Sequence, residues 1–205
     1  MGDYWDFSDL DLEPYKQNGA DIGPLIEIIG PERKKTKERE LASRTLMGLS
    51  ERYPQIIEDY WERFAALLST HNASSKMPAL YVLANLAIAG ETERFKAVLP
   101  DYVRLLDDES VGVCSHAALN LGKIAKAQES LREVITENLL AIRQINHNPE
   151  RVDLISAYVI KAFDQYFEVS NQQDRIIAFV FTLLESLSPS TQKAAKAFLK
   201  ANGVH

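Results

Sequence analysis

Histidine and cysteine are the side chains of this sequence best suited to bind a metal ion or to act as nucleophiles. The chain contains His71, His116, His147 and His205, and a single cysteine, Cys114. A zinc site needs several ligands in one cluster, and Cys114 and His116 are too close in sequence to share one helical face. No other histidine has a partner at ligand spacing. The pattern therefore predicts no metal site.

Carboxylates are the other candidates for chemistry, and three of them, Asp107, Asp108 and Glu109, stand together in the stretch from Phe95 to Ala127. Paired carboxylates can act as general acid and base. Acidic residues ahead of a helix also cap it and complement its dipole, which is the interpretation we favour here. Since no nucleophile with a base can be assigned, the sequence predicts a protein that is not an enzyme and uses no cofactor.

Composition places the chain among globular proteins. Of its 205 residues, 46% are hydrophobic and 25% are charged, which is enough to build a core. The N-terminus lacks a basic start followed by an apolar run, and no stretch approaches the roughly 20 apolar residues that span a bilayer. A lone cysteine cannot form an intramolecular disulfide. We therefore expect a cytoplasmic protein with no membrane partner.

The elements that would carry any site are helices. Apolar residues recur three and four positions apart, as in Val98, Tyr102, Leu105 and Leu106, and alternating β patterns are absent. Asn148 before Pro149 and Ser188 before Pro189 are typical helix starts. The sequence predicts an all-α protein.

The helical pattern also repeats. The positions of Leu80 and Leu83 are matched 38 residues later by Ala118 and Leu121. The same register returns at Ala157 and Ile160, at Ala195 and Phe198, and, more loosely, at Ala42 and Thr45. A second amphipathic stretch lies between successive matches, so each period is a helix pair. Five pairs are expected, with Leu121 buried between neighbouring pairs.

One stretch, "VLPDYVRLLDDESVGVCSHAALNLGKIA", resembles a HEAT repeat. It has Leu-Pro and Leu-Leu in the first helix, an Asp in the turn, and Ala-Ala, Leu-Gly and Ile-Ala in the second. It departs from the family at Gly112, where Arg is common, and its period of 38 is slightly short of the usual ~40 or more. The resemblance implies a right-handed α-solenoid over residues 21–205, a single repeat domain whose second helices line the concave face. Small residues, Ala117, Ala118, Gly122 and Ala125, would then be core.

Charge is unevenly distributed along the repeats. The whole chain carries a net charge of −6, yet the five second helices together carry +7. If they line one side, that side attracts an acidic ligand. We expect the partner-binding residues to be Lys35, Arg39, Lys76, Lys123, Lys126, Lys193, Lys196 and Lys200, opposed by Asp153 and Asp164. The alternative is a solvated helix face with local ion pairs.

The first twenty residues differ from the repeats. Residues 1–20 form an arm that mixes five acidic residues with Tyr4, Trp5 and Phe7 in no clear helical register. Such a segment can be a docking peptide or a cap over the end of the repeats, and we favour the cap. Its acidic residues could also occupy the chain's own basic surface.

Three functions are consistent with these patterns. A non-catalytic protein-interaction scaffold that binds an acidic segment of another protein is the main hypothesis. The alternative is a nucleic-acid-binding protein related in architecture to the HEAT-like alkylpurine DNA glycosylases, which use a Trp and Asp cradle. Trp61 and Asp59 lie together here, but on a first helix. The third is an enzyme of the bilin lyase type, which some short HEAT proteins resemble.

Overall fold

The computed structural model describes residues 6–16, 21–32, 34 and 36–204. Throughout these ranges the regular secondary structure is helical and no strand occurs. The predicted all-α class is confirmed. None of the helices in the described ranges is long and apolar enough to cross a membrane.

The helices form consecutive pairs after the short helix α1 (Glu13–Lys16). In the described part of the chain there are five pairs, as the repeat predicts. They are α2 (Gly23–Ile28) with α3 (Lys37–Arg52); α4 (Pro54–Ile57) and α5 (Trp61–Leu67) with α6 (Ala73–Ala89); α7 (Thr92–Arg104) with α8 (Val111–Ala127); α9 (Glu129–Leu140) with α10 (Pro149–Tyr166); and α11 (Gln173–Thr182) with α12 (Pro189–Ala201). In the second pair a 3₁₀ turn, Glu58–Tyr60, separates α4 from α5.

The second helices of the pairs begin at regular intervals. Their first residues are 36, 38, 38 and 40 positions apart, close to the predicted 38. Each helix follows a polar residue whose side-chain oxygen accepts a hydrogen bond from a backbone N–H of the first turn. This N–H has no acceptor within the helix, so the side chain satisfies it. These residues are Thr36, Asn72, Ser110, Asn148 and Ser188. The helix starts predicted at Asn148 and Ser188 are confirmed.

The chain divides into two compact units, unit 1 (Met1–Glu91) and unit 2 (Thr92–His205). Within unit 1, α3 packs against α2, α4 and α6. Within unit 2, α10 packs against both α8 and α12. The single repeat domain expected over residues 21–205 stays a prediction, and each unit is described by itself below.

The core of unit 2 is apolar and tightly packed. Phe163 meets Phe179 edge to face at 5.8 Å between ring centroids, and Phe167 meets Phe198 in the same way at 5.1 Å. Leu121 is fully buried, as predicted. The small residues expected in the core are buried as well: Ala117, Ala118, Gly122 and Ala125.

Gly122 lies where the second helices α8 and α10 approach each other closely. A Cβ atom at this position would lie 2.7 Å from both the Cα and the carbonyl oxygen of Ala162 on α10. Real Cβ atoms do not approach backbone this closely, so only glycine fits without a shift of the helices. The close spacing of α8 and α10 thus depends on a glycine, which has no side chain, at position 122.

In unit 1 the described part of the arm, residues 6–16, packs on α3. Phe7 and Leu12 are buried, and a Cβ at Gly48 of α3 would lie 3.4 Å from the Phe7 side chain. Arg44 of α3 donates to both carboxylate oxygens of Asp9, at 2.5 and 3.1 Å, and to the carbonyl oxygen of Asp6 at 2.7 Å. Residues 1–5 and 17–20 of the arm lie outside the described residues.

Several hydrogen bonds between neighbouring pairs have sequence separations close to one repeat. The backbone N–H of Asn146 donates to Asp107, 39 residues earlier, and the Thr191 hydroxyl donates to the carbonyl of Asp153, 38 residues earlier. In unit 1 the Asn72 amide donates to the carbonyl of Pro31, 41 residues earlier. These hydrogen bonds are evidence for the repeat that does not depend on the apolar pattern.

Candidate partner-binding surface

The cysteine and a histidine do come close in the structure. Cys114 Sγ lies 3.9 Å from His147 Nε2 and 3.1 Å from the carbonyl oxygen of Asp108, to which the thiol can donate. Burial is the main cause that raises the pKa of the Cys114 thiol to about 12. A thiol with this pKa is not a thiolate at neutral pH, so the pair lacks an activated nucleophile.

The acidic corner serves the turn between α7 and α8. Asp107 accepts the backbone N–H of Asn146, and the Asp108 carboxylate accepts the backbone N–H of Ser110 at 2.9 Å. The carbonyl of Asp108 also lies 2.7 Å from His147 Nε2. The carboxylate of Asp107 and the carbonyl of Asp108 therefore connect the turns of two neighbouring pairs. Among the residues that the structure describes, no group of three or more His, Cys, Asp and Glu side chains could hold a metal ion.

The eight predicted partner-binding cations have different surroundings. Lys35 lies outside the described residues. Arg39 and Lys76 belong to unit 1, where Arg39 is buried and Lys76 is half-buried. The other five belong to unit 2: Lys123 is half-buried on α8, Lys126 is exposed at its end, and Lys193, Lys196 and Lys200 are exposed on α12.

Arg39 does not belong to an exposed surface, and its assignment to a partner-binding surface is wrong in this respect. Only 2% of the residue is accessible to solvent. Its guanidinium donates to the carbonyl oxygens of Ile28, Ile29 and Gly30 and to Ser75 Oγ, at 2.7 to 3.2 Å. The carbonyls at the end of α2 have no partner within that helix, and the forked guanidinium supplies several donors at once. Desolvation lowers the pKa of Arg39 from its usual value.

Three lysines of unit 2 fall at equivalent positions of successive second helices. Lys161 of α10 lies 38 residues after Lys123 and 39 before Lys200, and Leu154 lies 39 before Lys193. Positions one repeat apart face the same side, so α8, α10 and α12 contribute to one set of cations. We call this set the lysine row; it consists of Lys123, Lys126, Lys161, Lys193, Lys196 and Lys200. Lys161 was missed in the sequence, although its repeat position predicts it.

Apolar and aromatic groups accompany the lysine row. The Lys161 ammonium lies 4.7 Å from the centre of the Tyr158 ring, and Tyr158 lies 6.4 Å from the His116 ring. Leu154, one turn earlier on α10, is 44% exposed. Burial lowers the pKa of His116, which favours its neutral form at pH 7. The surface thus combines positive charge with contact area for apolar groups.

The two acidic residues expected to oppose this charge differ from each other. Asp164 is exposed on α10. Asp153 is buried, and its carboxylate accepts hydrogen bonds from the Ser186 hydroxyl at 2.7 Å and the Leu187 N–H at 2.6 Å. Asp153 therefore joins α10 to the turn before α12.

The Trp and Asp pair offers no cradle for a nucleobase. Trp61 is only 1% exposed, between the helices of unit 1. A base can stack only on an aromatic face that it can reach. The other tryptophan, Trp5, lies outside the described residues. The structural basis for the glycosylase alternative is therefore absent at Trp61.

Comparisons with known proteins agree with the helical repeats. The model of the family Cnd1, non-SMC mitotic condensation complex subunit 1, matches residues 39–200. A designed armadillo repeat protein, solved in complex with the peptide (KR)4, is similar with a TM-score of 0.55 at 18% identity, over 93% of this chain and 84% of that one. An engineered protein matches with a TM-score of 0.57 at 21% identity, over 93% and 85%. No curated protein sequence matches. The predicted α-solenoid fold and the HEAT-like repeats are confirmed.

Proposed function

Because the chain belongs to the Cnd1 family of HEAT-repeat proteins, we propose that it is a non-catalytic scaffold whose lysine row binds an acidic segment of another protein. The family's description is that of a subunit of a complex, which fits a protein that works through contacts. A cytoplasmic location stays a prediction, since the family description refers to mitotic condensation.

The lysine row is the observation that carries the proposal. Six lysines lie on three packed helices, three of them at equivalent repeat positions, and together they favour an acidic ligand. Each exposed pair with a carboxylate is worth only about 0 to 1 kcal/mol, so affinity comes from several pairs together. Tyr158 and Leu154 beside the lysines add apolar contact, which suits a peptide that mixes acidic and apolar residues.

A charge-reversal pair tests the proposal. Lys193→Glu with Lys200→Glu changes two exposed lysines of the row. Lys96→Glu with Arg104→Glu is the matched control, because these exposed cations lie on α7, a first helix of the same unit. Binding of a fluorescent Asp- and Glu-rich peptide is measured by anisotropy at low and at moderate salt, with a single-stranded oligonucleotide as a parallel probe.

We expect the row variant to weaken peptide binding by about tenfold at low salt, with the difference shrinking as salt rises. The control should change binding much less. Equal losses in both variants would mean that net charge alone attracts the peptide. Binding of the oligonucleotide in preference to the peptide would overturn the proposal in favour of a nucleic-acid partner.

A further inference from the structure

A cavity of about 210 Å³ lies between α3 and α6 of unit 1. Its apolar lining comes from Met47 and Met77 on facing helices and from Pro78. Glu40, Ser43 and Arg44 of α3 contribute polar groups to it. Methionine side chains adapt their shape to different apolar groups, so such a lining accepts one side chain of roughly leucine or phenylalanine size.

Beside the cavity, α6 lacks one of its regular helical hydrogen bonds. Pro78 lies inside α6 and has no amide hydrogen. The carbonyl of Ser74, four residues earlier, therefore does not receive the usual helical hydrogen bond from position 78. Ser74 itself is exposed and lines the cavity. The apolar lining and the polar side chains of α3 and α6 together suit an amphipathic peptide rather than a wholly apolar molecule.

Arg44 is the cation of the lining that could pair with a carboxylate of that peptide, although the carboxylate of Glu40 lies in the same lining. It lines the cavity, and its guanidinium holds the carboxylate of Asp9 through two hydrogen bonds while also binding the carbonyl of Asp6. The arm is thus an acidic segment with buried apolar residues, Phe7 and Leu12, seated on α3. Hydrogen bonding to Arg44 lowers the pKa of Asp9, which keeps this carboxylate ionised.

We propose that the cavity receives an apolar side chain from a partner protein's acidic segment, that a neighbouring carboxylate of this segment pairs with Arg44, and that Asp9 of the arm competes for the same guanidinium. The inference rests on the proposed scaffold function, but it assigns a surface of unit 1 that the lysine row does not include. A partner must then displace Asp9 of the arm from Arg44 in order to bind.

Two synthetic peptides test this inference. One carries a single leucine between Asp and Glu residues, and the other has alanine in place of the leucine. Both carry the same charge, so only the cavity should distinguish them. Burying the larger side chain should make the leucine peptide bind about tenfold more tightly to the full chain, which is within the range for removing three carbon groups from water.

Three variants locate the effect. Met77→Trp fills the cavity at a half-buried position and should abolish the preference for leucine. Asp9→Asn removes the negative charge that pairs with Arg44 and should strengthen binding of the leucine peptide several-fold. Arg44→Ala should weaken it. Circular dichroism of each variant verifies that the helices are retained.

The outcomes separate this inference from the proposed function. Equal binding of both peptides, lost on reversal of Lys193 and Lys200, would overturn the cavity and leave the lysine row in place. A leucine preference that disappears in Met77→Trp but ignores the lysine reversal would support the cavity and contradict the proposed function. Weaker or unchanged binding in Asp9→Asn would show that the arm does not compete. Failure of both peptides to bind would overturn both ideas.

Discussion

The second helices of unit 1 and unit 2 both carry positive charge, but the charged side chains have different surroundings. In unit 1, Arg39 caps the end of α2 from inside the protein and Arg44 holds the arm. In unit 2, Lys193, Lys196 and Lys200 are exposed on α12. The arginines bind fixed acceptors through several donors each, whereas a lysine is a compact, well-hydrated charge. In these two sets the cations with fixed structural acceptors are arginines, and the exposed ones are lysines.

The two units also differ in what covers a second helix. Gly48 of α3 faces the Phe7 side chain, while Gly122 of α8 faces the backbone of α10 at Ala162. A side chain can move aside, but a packed helix backbone cannot do so without disturbing its neighbours. The same residue type thus imposes a weak constraint in one unit and a strong one in the other.

The largest effect should come from Arg39→Ala. The substitution removes four hydrogen bonds and leaves buried carbonyl groups without a donor, so the free energy of unfolding should fall by about 3 to 5 kcal/mol. Lys193→Ala is the control in unit 2 and should change it by less than about 0.5 kcal/mol. Chemical denaturation followed by circular dichroism measures both. Similar values for the two variants would remove the distinction between structural and exposed cations.

Leu121→Ala should cost about 2 to 5 kcal/mol through lost burial and the cavity left behind. Leu83 occupies the position 38 residues earlier in unit 1 and is fully buried as well, so Leu83→Ala should cost a similar amount. Together, the two variants test whether burial in the two cores contributes equally to stability, even though the cations of the two units differ. A loss below roughly 1 kcal/mol at Leu121 would contradict the repeat register.

Substitutions of Gly48 and Gly122 test the second difference between the units, which is what covers a second helix. Gly122→Ala forces α8 away from α10 and should destabilise the protein by about 1 to 3 kcal/mol. Gly48→Ala meets only movable side chains and gains up to ~1 kcal/mol of helix propensity, so its net effect should be near zero or stabilising. Thermal denaturation of the two variants decides the matter, and equal destabilisation would show that Phe7 is held as firmly as the α10 backbone.

The smallest effect concerns pH and is confined to unit 2. Burial holds the pKa of His116 in the folded protein below its ordinary value near 6.5. As pH falls below about 6.5, the unfolded chain therefore takes up this proton before the folded protein does, and stability declines. We expect His116→Gln to reduce the loss of stability between pH 7 and pH 5, as measured by denaturation at each pH. An unchanged pH profile would exclude His116 as a contributor.

The sequence predicts the helix pairs well because periodicity and capping are local signals. Leu121 and the N-cap Asn148 could be assigned from their neighbours alone. Arg39 could not, because its burial depends on carbonyls nine to eleven residues earlier and on Ser75, 36 residues later. Arg44 and Asp9 are 35 residues apart, close to one repeat, and this spacing is a signal that could have suggested their pairing. The cavity could not be predicted from the sequence, although Pro78 stands inside a helical pattern there.

The separation of about one repeat in the hydrogen bonds between neighbouring pairs has a consequence for how the chain folds. Each such bond closes a loop of about the same length, near 38 residues. The entropic cost of closing a loop rises with the logarithm of its length, so every additional pair meets the same modest barrier, wherever it stands in the chain. Within each unit, folding can therefore start at one pair and spread to the next without a long-range search. A chain of this kind can gain repeats without folding more slowly at each step.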